Sequence, residues 1–372
     1  MKFEKSNSKP NLRLLKWENE RILITGHTGF KGSWLSLLLS SYGMNISGIS
    51  LNPIDDQNLF EASNLEKRIS NSIISDIRKF SSLRKHISDI KPSIIFHLAA
   101  QPLVIKSYYS PLETWQTNLI GTLNLLEAVK EEDINCQIII ITTDKVYKNT
   151  NTKKSFKEND ELGGDDPYSA SKASLEIAVE SWRRSFCGNK PHQTNKIKIA
   201  TARAGNVIGG GDWSKDRIIP DAVKNLLKKE KIKIRNPMAI RPWQHVLEPL
   251  WGYIKLAKYL ENKIDNQNDL PFCNSFNFGP FEENHKTVIE LIDSLLKNWK
   301  GDFFIEENEN NPKESQFLKL SINKSKNILL WEPKWGFDYS INKTINWYKK
   351  VYLDKLNPFD ACIDDINEYF IR

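Results

Sequence analysis

The four cysteines of this chain, Cys136, Cys187, Cys273 and Cys362, are far apart, and no CxxC or Cys/His spacing of a zinc site occurs. That excludes a structural zinc site and fits a reduced protein. The six histidines form no ligand-spaced cluster either, so metal-based and histidine-based catalysis find no support. No apolar run approaches the roughly 20 residues a membrane-spanning helix needs. The first twenty residues, MKFEKSNSKPNLRLLKWENE, carry charge throughout and do not read as a signal peptide, so the expected setting is the cytoplasm, with no membrane partner. Charge is not concentrated in blocks. Lys plus Arg number 53 against 46 for Asp plus Glu, a net charge of +7, and this dispersed excess is too mild for a nucleic-acid partner. It suits an anionic small molecule as well as it suits an ordinary Lys-rich, solvated surface.

What is present is a 372-residue chain, 40% hydrophobic and 27% charged, enough for one large or two closely joined α/β domains. From Arg21, short β-branched runs alternate with amphipathic stretches, the pattern of a parallel sheet with crossover helices. The strand candidates are Arg21 to Thr25, Ile46 to Ser50, Ser72 to Ser75, Ser93 to Leu98, Gln137 to Thr143 and Lys196 to Ala202. Helices are expected over Ser33 to Leu39, over Glu113 to Lys130, where Trp115, Leu119, Leu123 and Leu126 recur at helical spacing, and over Tyr168 to Phe186. The reading is a doubly wound parallel Rossmann sheet over 21–205. A polar extension, 1–20, precedes it. A smaller C-terminal α/β substrate domain, 206–372, with a strand at Ile232 to Ile234, follows and crosses back to complete the first. Asn149 to Asn159 is polar enough for a surface loop.

The first strand runs into Gly26-His27-Thr28-Gly29-Phe30-Lys31-Gly32. Glycines at this spacing turn the chain tightly and bring backbone N–H groups against a pyrophosphate at the start of a helix. Strand before and helix after supply the context that a lone glycine triplet lacks. The acidic residue that would hold a ribose 2′-hydroxyl is absent from the end of the second strand, where Ser50-Leu51-Asn52 stands, with Asp55 and Asp56 a little later. NAD is the expected dinucleotide and NADP the alternative, with Lys31 and His27 facing either a ribose or its 2′-phosphate, or solvent.

The fifth strand ends in Thr142-Thr143-Asp144-Lys145, and the next helix opens with Tyr168-Ser169-Ala170-Ser171-Lys172. One turn separates Tyr168 from Lys172, so both point to the carboxyl end of the sheet, where α/β folds bind ligands. A neighbouring ammonium and a bound nicotinamide cation both favour a phenolate, which would make Tyr168 a usable base. Such a pair on its own is usually mere surface; after a dinucleotide turn and a polar strand end it reads as chemistry.

TGHTGFKGSWL (25–35), HLAAQPLV (97–104), TTDKVY (142–147), DPYSASKA (166–173), ARAGNVIGGGDW (202–213), DRIIPD (216–221), RPWQHVLEP (241–249) and LWEPKW (330–335) together resemble the extended short-chain dehydrogenase/reductase family, and within it the CDP-glucose 4,6-dehydratases. The resemblance implies an NAD-dependent hydro-lyase acting on a nucleotide sugar for deoxysugar and surface-polysaccharide synthesis, and a homodimer built from Glu113 to Lys130 and Tyr168 to Phe186. It implies a cofactor site of Gly26, Thr28, Gly29, Phe30, Lys31 and Gly32, with Asp76 and Ile77 near the adenine and Ala99, Ala100 and Gln101 behind the nicotinamide half. Tyr168 would take the O4 proton, Thr143 would hydrogen-bond the same oxygen, and Lys172 would hold the ribose. Asp144 would protonate the leaving O6, and Lys145, where thymidine-linked relatives carry Glu, would be the C5 base. Asn206, Arg217 and Arg241 would surround the nucleotide diphosphate. Trp213, Trp243 and His245 either line the pocket or fill the domain junction. GDP-mannose and dTDP-glucose 4,6-dehydratases, a 4-epimerase, a net reductase and a non-catalytic NAD-binding regulator are the competing readings.

Overall fold

The computed structural model describes residues 11–53, 57–150, 154–262, 275–306 and 317–370. Asp55, Asp56, Cys273 and residues 1–10 lie outside the described residues. Seven parallel strands form the central sheet: β1 (Arg21–Thr25), β2 (Asn45–Ser50), β3 (Asn71–Ile74), β4 (Ile94–His97), β5 (Cys136–Ile141), β6 (Ile197–Ala204) and β7 (Ser275–Phe278). Their order is β7-β6-β5-β4-β1-β2-β3, so the winding reverses between β1 and β4. The central strands are nearly continuous apolar runs, CQIIII in β5 for example, because helices cover both faces. Two apolar cores result, one on each side of the sheet. At the carboxyl end of β1 and β4 the reversal opens the crevice in which such sheets bind ligands.

The helices that matter for the site are α1 (Phe30–Ser41), α2 (Phe80–Ile90), α3 (Gly121–Glu131), α4 (Pro167–Phe186), α5 (Leu247–Asn262), α6 (Phe337–Tyr352) and α7 (Pro358–Tyr369). The start of α4 is set by its sequence: Pro167 needs no donor in the first turn, and Asp166 Oδ1 accepts from Ser169 N at 2.9 Å while Ser169 Oγ accepts from Asp166 N at 3.2 Å. Removing such a cap costs about 1 kcal/mol.

The helix expected over Glu113 to Lys130 exists but is not regular. Pro111–Trp115 leads through a π-helical turn, Gln116–Ile120, into α3. The widened turn rotates the buried stripe onto Asn118, Thr122, Leu125 and Val129 and leaves Trp115, Leu119 and Leu123 only half-buried. Asn118 explains it: its Oδ1 accepts from Gln101 N at 2.8 Å, and its Nδ2 donates to Gln101 O at 3.2 Å and to Ser171 Oγ at 2.9 Å.

The amino-terminal segment also departs from expectation. Leu12, Leu15 and Trp17 are buried in the core, with Trp17 Nε1 donating to Glu261 Oε2 at 2.9 Å, so the described part of 1–20 packs on α5 rather than forming a polar extension. Beyond β6 lie three small ribbons, Val207–Ile208 with Gln244–His245, Ile240–Arg241 with Lys286–Thr287, and Ile232–Ile234 with Phe303–Ile305.

Candidate active site

At Gly26 and Gly32 the glycine turn is too tight for a side chain. A Cβ on Gly32 would lie 2.1 Å from Gly26 O, and one on Gly26, whose φ is +75°, would lie 2.7 Å from Ala99 N. At these two positions the turn presents bare backbone beside the start of α1, a cradle that fits a dinucleotide pyrophosphate. Phe30 and Lys31 open the helix. Thr28 Oγ1 bonds Ser50 Oγ at 2.8 Å and Leu51 O at 2.9 Å, so this hydroxyl stitches the turn to the end of β2.

His27 does not face a ribose. Its fully buried ring lies where a Cβ on Gly48 would sit, meets Phe60 edge-on at 5.3 Å and bonds Ser72 Oγ at 2.8 Å. Burial pushes it down to about 4. Lys31 does not point to the 2′ position either: it shares the field of Asp144, Lys172, Arg217 and Asp212, and burial and then the Arg217 guanidinium push it down to about 7.

Asp76 has its carboxylate gripped by Arg78, Nη2 to Oδ2 at 2.6 Å, which holds it below the usual range. Ile77 packs against Gly121. Ala99 and Ala100 are half-buried, and Ala99 N donates to Thr25 Oγ1 at 3.2 Å. Thr25 Oγ1 meets His97 Nδ1 at 2.7 Å, and His97 Nε2 meets Thr122 Oγ1 at 2.9 Å. Because Thr122 already donates to Asn118 O, His97 donates from Nε2, a neutral tautomer consistent with a ring pushed by burial down to about 3. Gln101 turns its amide away from the crevice, Nε2 donating to Leu103 O and Thr114 Oγ1, both at 3.0 Å.

At the end of β5, Thr143 Oγ1 donates to Asp144 Oδ1 at 3.0 Å; Asp144 is 1% exposed, and its Oδ2 is buried without a hydrogen-bond partner. Tyr168 lies against Thr143, Asp144 and Arg217. Burial pushes its phenol up to about 12, and the Thr143 hydrogen bond and the Arg217 charge only partly oppose this. The Lys172 ammonium donates to Ile141 O at 3.2 Å, and burial lowers it to about 8 against the pull of Glu176. With its phenol at about 12, Tyr168 keeps its proton at neutral pH unless a further positive charge, such as the expected nicotinamide cation, favours the phenolate.

Lys145 leaves this cluster for a cleft of about 190 Å³, also lined by Tyr108, Ser169, Ile218, Arg235 and Asn236. A larger groove, about 410 Å³ between α6 and α7, holds none of the expected site residues. Arg217 Nη1 donates to Asp212 Oδ2 at 2.9 Å and shares a field with Tyr168. Asn206 has a left-handed φ of 37° and accepts from Gln244 N at 3.3 Å. Arg241 is buried, Nη1 donating to Ile240 O at 2.9 Å. Trp213, Trp243 and His245 fill the junction. Trp213 packs edge-on to Tyr348 and Tyr352, Trp243 Nε1 donates to Lys286 O at 3.0 Å, and His245 sits between Trp34 and Trp335.

Sequence reasoning missed Asp212, Glu176 and the inward position of Lys31. Glu176 was within reach of the argument, since it continues the four-residue spacing from Tyr168 through Lys172. Among the described residues no group of three or more potential metal ligands occurs, and no helix is long and apolar enough to cross a membrane.

A model of the GDP-mannose 4,6 dehydratase family matches residues 23–344. The CDP-glucose 4,6-dehydratase of Salmonella typhimurium is 42% identical over 334 residues, covering 90% of this chain and 91% of that protein. Among solved structures, dTDP-glucose 4,6-dehydratase from Bacillus anthracis in complex with NAD is similar at a TM-score of 0.72 and 22% identity, covering 91% of this chain and 99% of that one. UDP-glucose 4-epimerase from Thermotoga maritima with UDP-glucose reaches 0.74 at 22% identity, covering 89% and 99%. At such identities the two structures establish a common fold.

Proposed function

The chain belongs to the GDP-mannose 4,6 dehydratase family, and from that premise we propose that it is an NAD-dependent hydro-lyase converting CDP-glucose to CDP-4-keto-6-deoxyglucose. The choice of CDP-glucose follows the Salmonella relative, which matches along nine-tenths of the chain. The observation that favours dehydration over epimerisation is Asp144, a carboxyl beside Thr143 whose Oδ2 is buried against Gly205 without a hydrogen-bond partner.

NAD, when bound, would supply the hydride acceptor and donor for C4 and C6 and a positive charge beside Tyr168. The turn from Gly26 to Gly32 and the start of α1 would hold its pyrophosphate, Asp76 and Ile77 would border its adenine, and the backbone of Ala99, Ala100 and Gln101 would back its other half. Lys172 holds the ribose. Tyr168 takes the O4 proton while Thr143 hydrogen-bonds O4. The new C4 carbonyl acidifies the C5 proton, because the carbanion delocalises into it. Lys145, whose side chain lines the adjoining cleft, removes that proton, and Asp144 protonates O6 as it leaves as water. Lys145 returns the proton to C5 when C6 is reduced. Between turnovers one proton passes from Tyr168 to Asp144. Asn206, Arg217 and Arg241 surround the diphosphate, for which guanidinium forks are suited.

The same reading makes the enzyme a cytoplasmic homodimer. Leu112, Ile120 and Ile177, 69%, 46% and 59% exposed, give the segment 111–131 and α4 an apolar outer face suited to a second copy. Cys136 and Cys362, both buried, suit a reducing compartment. Mass spectrometry of a panel of nucleotide sugars tests the function: CDP-glucose should lose one water without build-up of NADH, whereas stoichiometric NADH or a galactose-type product would reject it.

A further inference from the structure

Behind Tyr168 and Lys172 lies a carboxylate that no step above uses. Glu176 follows Lys172 by one more turn of α4, with its side chain 2% exposed. Thr142, after β5, donates to its Oε1 at 2.6 Å; Thr201 of β6 and Ser275 of β7 donate to its Oε2 at 2.7 and 2.9 Å. Arg203 of β6 closes the array, Nε to Oε1 at 3.0 Å and Nη2 to Oε2 at 2.9 Å. One carboxylate thus ties the helix carrying Tyr168 and Lys172 to three neighbouring strands. Thr142 directly precedes Thr143 and Asp144, so the tie reaches the other half of the site.

A buried ion pair is by itself weak evidence of anything but structure. What distinguishes this one is its neighbour. Lys172 is 4% exposed, and its ammonium donates to Ile141 O. Glu176, four residues on along the same face of α4, is the anion whose field favours its charged form. The other groups facing it give no such support: Lys31 carries like charge, His97 is neutral, and Tyr168 keeps its proton. Asp144 faces Lys31 and Tyr168. On the far side, Arg203 is also held by Tyr147 Oη at 2.9 Å and Glu158 O at 3.0 Å, with Lys324 in the same field.

We propose that Glu176 is the counter-anion and positioning residue of Lys172, keeping its ammonium in place behind Tyr168 and fixing the strand end that carries Thr143 and Asp144. The inference rests on the assignment of Lys172 to the cofactor ribose.

The test compares the parent enzyme with Glu176→Asp, Glu176→Gln and the double variant Glu176→Gln/Arg203→Met. Gln alone leaves a buried Arg203 cation unpaired, which endangers folding; the double variant removes that cation. Two quantities are followed against pH: the dissociation constant of NAD, by equilibrium dialysis, and kcat/KM for CDP-glucose. Lys172 gives up its proton as pH rises, and loss of a counter-anion moves that event to lower pH. The alkaline decline of both quantities is expected to move down by about one pH unit or more in Glu176→Gln and in the double variant, and to stay near the parent's position in Glu176→Asp. A decline at the parent's pH in every variant, with only stability or kcat reduced, overturns the proposal. If the parent does not turn over CDP-glucose, the substrate reading fails, and the NAD-binding curves alone decide the role of Glu176.

Discussion

Gly205 stands against Asp144 with no room for a methyl group: a Cβ built on Gly205 would lie 1.7 Å from Asp144 Oδ2 and 2.1 Å from its Cγ. The glycine at the end of β6 therefore sets where the carboxyl at the end of β5 rests. Gly205→Ala should displace Asp144 and slow elimination by about a hundredfold, the weight of a positioned general acid, with a smaller effect on oxidation at C4. Single-turnover absorbance would show NADH formed and then persisting. Loss of NADH formation in proportion to product would contradict the assignment.

Tyr168 and Asp144 are expected to divide the reaction between them. Tyr168→Phe removes the acceptor of the O4 proton and should depress every step by about a thousandfold or more. Asp144→Asn should retain C4 oxidation and lose elimination. Equal losses of single-turnover hydride transfer in the two variants would undo this division.

Acid stability offers a test of the inward His27. Its folded value, pushed by burial to about 4, lies below the ordinary 6.5, so the unfolded chain binds the proton first as pH falls. The stability it contributes is complete above pH 6.5 and is lost as pH falls from there towards about 4. Between about pH 7.5 and about pH 5, the parent should lose ~2 kcal/mol more than His27→Asn in urea unfolding, other groups cancelling in the difference. Parallel declines would place the ring in solvent.

Ile177→Asp and Leu112→Asp introduce charge on the exposed apolar face of α4 and of the segment beginning at Pro111. If that face joins two copies, light scattering should show a dimer for the parent and a monomer for either variant. A parent that is monomeric at assay concentration, or variants that remain dimeric, would rule the surface out.

Much of the sheet could be read in advance because parallel strands buried on both faces are short apolar runs between turn residues, as RILIT and CQIIII are. β7 was harder. SFNF carries only two aromatics, and Ser275 and Asn277 serve hydrogen bonds to Glu176 and Tyr147 that no periodicity reveals. The π-turn at Asn118 hid for the same reason, since its cause is the backbone of Gln101. In the site, motif spacing sufficed to group Thr143, Asp144, Tyr168 and Lys172. Spacing could not say that Gln101 would spend its amide on Thr114, that Arg78 would grip Asp76, or that Lys31 would turn towards Asp144. Those outcomes depend on packing between segments distant in sequence.

The most direct test is CDP-glucose deuterated at C4, incubated with catalytic NAD and followed by NMR and mass spectrometry. The account predicts loss of one water and transfer of the deuterium to C6 within the same molecule. Deuterium found at C4 of a galactose-type product, or left on reduced cofactor in stoichiometric amount, would contradict it.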